Sequence, residues 1–169
     1  MVKTFIEFLE KYMKKTIEEY YEFHKNSPSD INEHFETLKR YSSECETIVE
    51  MGVREIKSTW SFIAGKPKKV ISIDFQHPDF FGGDISEVYR ICSDLQIDYE
   101  FKLENTPECD IEVCDLLFID TWHDFLQLKC ELFRHSSKVR KYIILHDTYS
   151  YGFNNEPLYS DYQNTVVHY

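Results

Sequence analysis

Two apolar runs that end on metal-binding or proton-carrying side chains limit this chain more than anything else in it. In DLLFIDTWHDF the run 116–119 stops at Asp120, with His123 shortly after; in KYIILHDTYSYG the run 142–145 stops at His146 and Asp147. Each run is short, and β-branched or aromatic enough to be a strand buried on both faces of a parallel sheet. Open parallel sheets place their ligand sites just beyond the carboxyl ends of their strands. Two such endings separated by one helical stretch therefore describe a site rather than a core.

The rest of the chain from residue 46 fits that reading. ETIVEMG, KKVISIDF, DYEFKLEN, DLLFID and KYIILHD read as five strands. STWSFIAG, DISEVYRICSDLQI and DFLQLKCELFRHSSK read as the helices between them. This alternation predicts an α/β fold with a doubly wound, mostly parallel sheet and helices on both faces. Right-handed crossovers then favour the strand order 3-2-1-4-5.

Ahead of this domain (46–169) lies a helical appendage, 1–45. Val2, Phe5, Ile6, Leu9, Met13, Ile17 and Tyr20 form a helical-period stripe, predicting an amphipathic helix over 2–23 that NSPSD breaks. Asp30 and Glu33 predict a capping box for a second helix through about Tyr41. Both helices are expected to cover a sheet edge or shape a substrate cleft.

Composition narrows the function. With 30 acidic against 19 basic residues the formal charge is −11, a surface that repels phosphate backbones, so no nucleic-acid partner is expected. Five cysteines scattered at 45, 92, 109, 114 and 130, with no CxxC pair, fit reduced thiols better than a disulfide framework. No apolar stretch reaches membrane-spanning length, and the N-terminus is unlike a signal peptide. The expectation is a soluble, cytoplasmic protein with no membrane partner.

The exit from the first strand is the other informative stretch. Gly52 directly after a strand lets a ligand approach the backbone, and the helix beyond offers its first amides, with Ser58 a candidate N-cap. The second strand ends on Asp74, where an acidic side chain can accept hydrogen bonds from both hydroxyls of a ribose. Taken together, VEMGVREIKSTW, KKVISIDF, CDLLFIDTWHDFLQLKCEL and KVRKYIILHDTYSYG resemble the class I S-adenosylmethionine-dependent methyltransferases. The similarity is greatest to a short bacterial, phage and viral branch, grouped with cephalosporin hydroxylase-like and sugar O-methyltransferase-like proteins. The resemblance implies S-adenosylmethionine as cofactor, with Glu50, Gly52, Arg54, Ser58, Asp74 and Asp120 in its site and the segment after Ser93 leading to the adenine pocket. It also implies a divalent cation, Mg2+, held by Asp120, His146 and Asp147, with His123 as general base and a small molecule or sugar as methyl acceptor.

Two departures from the family pattern stand out. Glu55-Ile56-Lys57 occupies positions where the family carries a glycine or another small residue. After Asp147 too few residues remain for a helix and the last two of seven strands, so the expectation is either a truncated chain or a shortened sheet whose fifth-strand edge a homodimer or the N-terminal helices could cover. Several plainer roles stay open: Asp120 capping the next helix, His123 bonding a carbonyl, His146 a core histidine, Asp147 a turn former. Trp122, Tyr149, Tyr151 and Phe153 could line a pocket or simply pack. Two other functions remain alongside the methyltransferase. One is an inactive member of the fold acting as a binding or assembly module. The other is a different enzyme, such as an oxygenase with a 2-His-1-carboxylate site built from His123, His146 and one aspartate; the lack of GxxxxGK[ST] argues against a P-loop enzyme.

Overall fold

A computed structural model describes residues 15–148. Within them five parallel strands form one sheet: β1 (Thr47–Met51), β2 (Lys69–Asp74), β3 (Asp98–Leu103), β4 (Cys114–Ile119) and β5 (Val139–Leu145). Their order is β3-β2-β1-β4-β5, as the alternation predicts. The helices are α1 (Ile17–Asn26), α2 (Phe35–Ser43), α3 (Lys57–Ala64), α4 (Ile85–Leu95) and α5 (Phe125–His135).

The period of two along each strand divides the core into two layers. Ile48, Val70, Leu116 and Phe118 face α1 to α4, where Trp60, Phe62, Val88, Ile91, Phe35 and Leu38 meet them. Val49, Met51, Ile71, Ile73, Leu117 and Ile119 face the other way, onto Leu128 and Leu132 of α5 and onto Cys109 and Ile111. No helix joins β3 to β4, so on that face α5 shares the cover with the 104–113 loop. Burying a side chain such as Phe118 or Leu117 is worth roughly 1.5–3 kcal/mol, against about 0–1 for an exposed ion pair like Lys68–Glu46. The two-sided core, not the surface charge, holds the sheet.

The N-terminal segment is part of that core: Ile17, Tyr21, Ile31, Phe35 and Leu38 pack in the α1–α4 layer, and Tyr20 stacks on Trp60 at 4.2 Å between ring centres. Local structure corrects two expectations here and a third at α3. The helix expected over 2–23 does not run through Thr16, which is extended and caps α1: its Oγ1 accepts from Glu19 N–H while Glu19 accepts from Thr16 N–H. The stripe positions before residue 15 lie outside the described residues. Asp30 and Glu33 do not form the second box. The reciprocal pair sits one residue earlier, Asn32 N–H to Ser29 Oγ at 3.1 Å and Ser29 N–H to Asn32 Oδ1 at 3.3 Å, and leads into a 3-10 turn before α2. Ser58 is not an N-cap either: α3 starts one residue earlier, behind Ile56 in the left-handed region (φ 57°). A left-handed β-branched residue is costly, and Ile56 is held there by near-complete burial. At the far edge α2 reaches β5, where Tyr142 packs on Tyr41 and donates to Glu44. Among the described residues no helix is long and apolar enough to cross a membrane.

Candidate active site

The ladder bonds of the sheet continue one residue past the strand ends and so set the site side by side. Glu104 N–H donates to Asp74 O, Gly52 N–H to Ile73 O, Asp120 N–H to Met51 O and His146 N–H to Ile119 O, at 2.8–3.1 Å. Asp74, Gly52, Asp120 and His146 therefore emerge in one row along the carboxyl edge of β2, β1, β4 and β5.

A cavity of about 680 Å³ opens over this row, lined from β1 and β2 by Gly52, Arg54, Asp74 and Phe75, from beyond β3 by Asn105 and Thr106, and from beyond β4 by Asp120, Thr121 and Trp122. Asp74 is oriented from below: Oδ2 accepts from Val53 N–H (2.8 Å) and Arg54 N–H (3.1 Å), and Oδ1 from Gln76 N–H (3.0 Å). The segment after Ser93 runs through β3 and reaches the cavity wall at Asn105 and Thr106. A smaller hollow of about 240 Å³ adjoins it, lined by Asp30, Arg54, Lys57, Ser58 and Asp120 among others.

Gly52 earns its place by packing. A Cβ there would lie 1.9 Å from the carbonyl oxygen of Asp120, and its φ is 86°. The close approach that excludes a side chain is that of β4's exit. Glu50 does not reach the cavity; it is wholly buried, with its carboxylate accepting from Ser58 (2.5 Å), Thr59 (2.8 Å) and Ser72 (2.6 Å). Burial pushes its pKa up to about 7, against the pull of those three hydroxyls. A carboxyl raised in the folded state stabilises most below its unfolded value near 4.5, and that stability is lost as pH rises through 7. The shift corresponds to roughly 3 kcal/mol. Denaturant titrations at stepped pH should show Glu50→Gln lacking this loss; parallel curves for the two proteins would refute the assignment.

The two strand endings converge. His146 Nδ1 lies 3.1 Å from Asp120 Oδ1 and 3.3 Å from Asp147 Oδ2; His123 Nε2 lies 3.4 Å and 3.2 Å from the same two oxygens. One ligand atom from each of the four falls within 4.8 Å of the others. Burial opposes charge on His146, but the Asp120 hydrogen bond and both carboxylates outweigh it and raise the imidazole to about 9. Burial likewise pushes Asp120 up, yet the two imidazoles reverse this and hold it at about 2. The plainer roles are partly answered. Asp124, not Asp120, caps α5, accepting from Leu126 and Gln127 N–H. Asp147 does turn the chain, at φ 54°, and still faces the cluster. Trp122 lines the cavity; Tyr149, Tyr151 and Phe153 lie outside the described residues.

The sequence reading missed what lies under the cavity. Glu131 is fully buried and accepts from Thr106, from Thr121 (3.0 Å) and from Gln127 (3.0 Å), three residues of the cavity wall. His135 holds the same loop, its Nε2 lying 3.0 Å from Thr106 O. The signal was present as Gln127, Glu131 and His135, a polar row at i, i+4, i+8 beside the apolar Leu128 and Leu132.

No protein-family model matches the sequence, and no curated protein does. Solved structures do match. The S-adenosylhomocysteine-bound methyltransferase PaMTH1 of Podospora anserina is 13% identical, with a TM-score of 0.58 over 95% of this chain and 78% of that one. A Staphylococcus aureus protein described as a caffeoyl-CoA O-methyltransferase is 16% identical, with a TM-score of 0.59 over 99% and 79%. A Klebsiella pneumoniae protein described as an O-methyltransferase is 15% identical, with a TM-score of 0.56 over 92% and 76%. At such identities the likeness is one of fold: the α/β arrangement of this chain is shared with these three proteins, and the doubly wound sheet is the one expected from the sequence.

Proposed function

We propose that this chain is an S-adenosylmethionine-dependent methyltransferase that methylates an oxygen of a small molecule or sugar, with a divalent cation at the acceptor side. The observation that carries the reading is the single row of Gly52, Asp74 and Asp120 under one cavity, with His123, His146 and Asp147 gathered at its Asp120 end. At about 680 Å³ the cavity is of the size that binds cofactors and drug-sized ligands. The fold is shared with a protein that holds the demethylated cofactor.

In this reading Asp74, already fixed by three backbone amides, turns its remaining lone pairs to the ribose hydroxyls. Phe75 and Trp122 offer apolar walls, and Arg54 stands where the two hollows meet. The cofactor supplies a methyl group on a sulfonium sulfur; transfer forms an O–CH3 bond, breaks S–CH3 and leaves that electron pair on sulfur. His123 Nε2 takes the acceptor's hydroxyl proton, a task that suits an imidazole near neutral pH. Asp120, His146 and Asp147 would hold the cation, whose charge would lower the pKa of the same hydroxyl.

The inactive-module reading requires the bulk at 55–57 to block the site. Against it, Ile56 turns into the core, and Glu55 and Lys57 border the smaller hollow. Calorimetry with S-adenosylhomocysteine tests the proposal: binding in the micromolar range is expected, weakened at least roughly tenfold in Asp74→Ala, since two hydrogen bonds to the ribose go with the carboxylate. A flat titration of the wild-type protein would end it.

A further inference from the structure

The resemblance implies magnesium, but the donor atoms of this cluster do not suit that ion. We infer that the cation taken by Asp120, His146 and Asp147 is a borderline transition dication of the zinc, cobalt(II) or iron(II) class. The inference rests on reading these residues as a cation site and is independent of methyl transfer.

Magnesium demands near-octahedral oxygen ligands and keeps several waters. Here a nitrogen, His146 Nδ1, sits between the two carboxylates at 3.1 and 3.3 Å. Imidazole nitrogen suits zinc and its neighbours in the first transition row.

The orientation of that nitrogen is fixed from behind. His146 Nε2 lies 3.2 Å from the carbonyl oxygen of Asp30. A carbonyl can only accept, so Nε2 keeps its proton; the Nδ1 proton that serves Asp120 and Asp147 in the metal-free protein is the one an incoming cation would displace, leaving an Nδ1 lone pair aimed between the two carboxylates. A second ring nitrogen bonded to a carbonyl is the outer support typical of metal-binding histidines. The side chain of His146 is only 4% exposed, so the ring has little freedom to turn away. Asp30 is itself paired with Arg54, at 3.6 Å, which ties the supporting segment to the wall of the cavity.

A second imidazole stands beside these three residues. His123 Nε2 approaches the same two carboxylate oxygens, and all four donors lie within 4.8 Å of one another. An imidazole and two carboxylates form a mixed nitrogen–oxygen donor set that a hard ion gains little from and a borderline ion prefers, with His123 beside it as the proton acceptor.

Cobalt(II) reads the site without any cofactor or acceptor present. Chelator-treated, full-length protein is titrated with cobalt(II) while visible d–d absorption is followed, then challenged with zinc or with magnesium. The expected result is a spectrum of low-symmetry cobalt with nitrogen ligation, removed by one equivalent of zinc and retained under roughly hundredfold excess magnesium. His146→Asp, which leaves only carboxylates beside His123, is expected to bind cobalt at least tenfold more weakly and to lose its discrimination against magnesium. Magnesium displacing cobalt at comparable concentration from the wild-type protein, or no spectrum at all, overturns the inference. That wild-type competition decides the matter even where the variant fails to fold. Because the cobalt spectrum needs no S-adenosyl compound, its failure leaves the S-adenosylhomocysteine calorimetry standing, and a flat calorimetric trace leaves the cobalt result standing.

Discussion

Gly52→Ala is expected to destabilise the fold by about 3 kcal/mol or more and to abolish cofactor binding, while Gly82→Ala costs only about 1 kcal/mol. The two glycines have nearly the same backbone angle, φ 86° and 85°. At Gly82 a Cβ would meet nothing within 4 Å, whereas at Gly52 it would sit 1.9 Å from Asp120 O and 2.5 Å from its carbonyl carbon. Alanine at either position carries the left-handed penalty; only at Gly52 must the backbone of β4's exit also retreat. That retreat moves Asp120, whose N–H is bonded to Met51 O beside it. Denaturant midpoints of the two variants measure the difference directly. Equal midpoints would mean that the junction between β1 and β4 yields without resistance and that the close approach does not define the site.

The other large effect belongs to Asp120→Asn. In the proposed reaction turnover is expected to fall at least roughly a hundredfold, since both imidazoles lose their shared carboxylate and the proposed cation would lose a ligand. The same change should move His146. In the metal-free protein its pKa of about 9 depends on Asp120 for a hydrogen bond and one of two negative charges, and burial works against it throughout. With asparagine, burial prevails and the imidazole falls toward or below its ordinary value near 6.5. The sign of the stability effect follows from linkage. A histidine raised in the folded state stabilises below its unfolded value, 6.5, and that part is lost as pH rises through 9. A carboxyl held at about 2 stabilises above 3.8, and that part is lost as pH falls through 2. The variant's deficit is therefore full between about 3.8 and 6.5 and shrinks on either side. An NMR titration of His146 and stability curves at two or three pH values test both statements; an unmoved His146 would show that Asp147 alone holds the charge.

Much of this was legible in the chain because it is local or follows from the sheet. Runs such as Val70–Ile73 and Leu116–Ile119 declare buried strands, and the rule that parallel sheets carry their chemistry at carboxyl ends selects Asp74, Asp120, His146 and Asp147. What stayed hidden depends on partners far along the sequence. Glu131 looks like a solvated helix charge until Thr106 and Thr121 close on it. Asp30 looks like a cap until Arg54 and His146 claim its carboxylate and its carbonyl. Ser58 reads as a helix start, yet its hydroxyl serves Glu50 on the neighbouring strand. Gly52 could be read from one strand alone as room for a ligand; only the second strand shows that the room is taken by Asp120.

The strands that carry the site are unequally sheltered. β4 is buried along its whole length and β1 nearly so, while β5 at one margin is half open to water. Wherever the sheet loosens, it loosens first at that margin, and His146 and Asp147 leave with it. Gly52 and Asp120 stay behind in the stiff middle. The Asp74 end of the hollow and its His146–Asp147 end thus differ in durability: the first survives partial opening, the second exists only while the outer strand is docked.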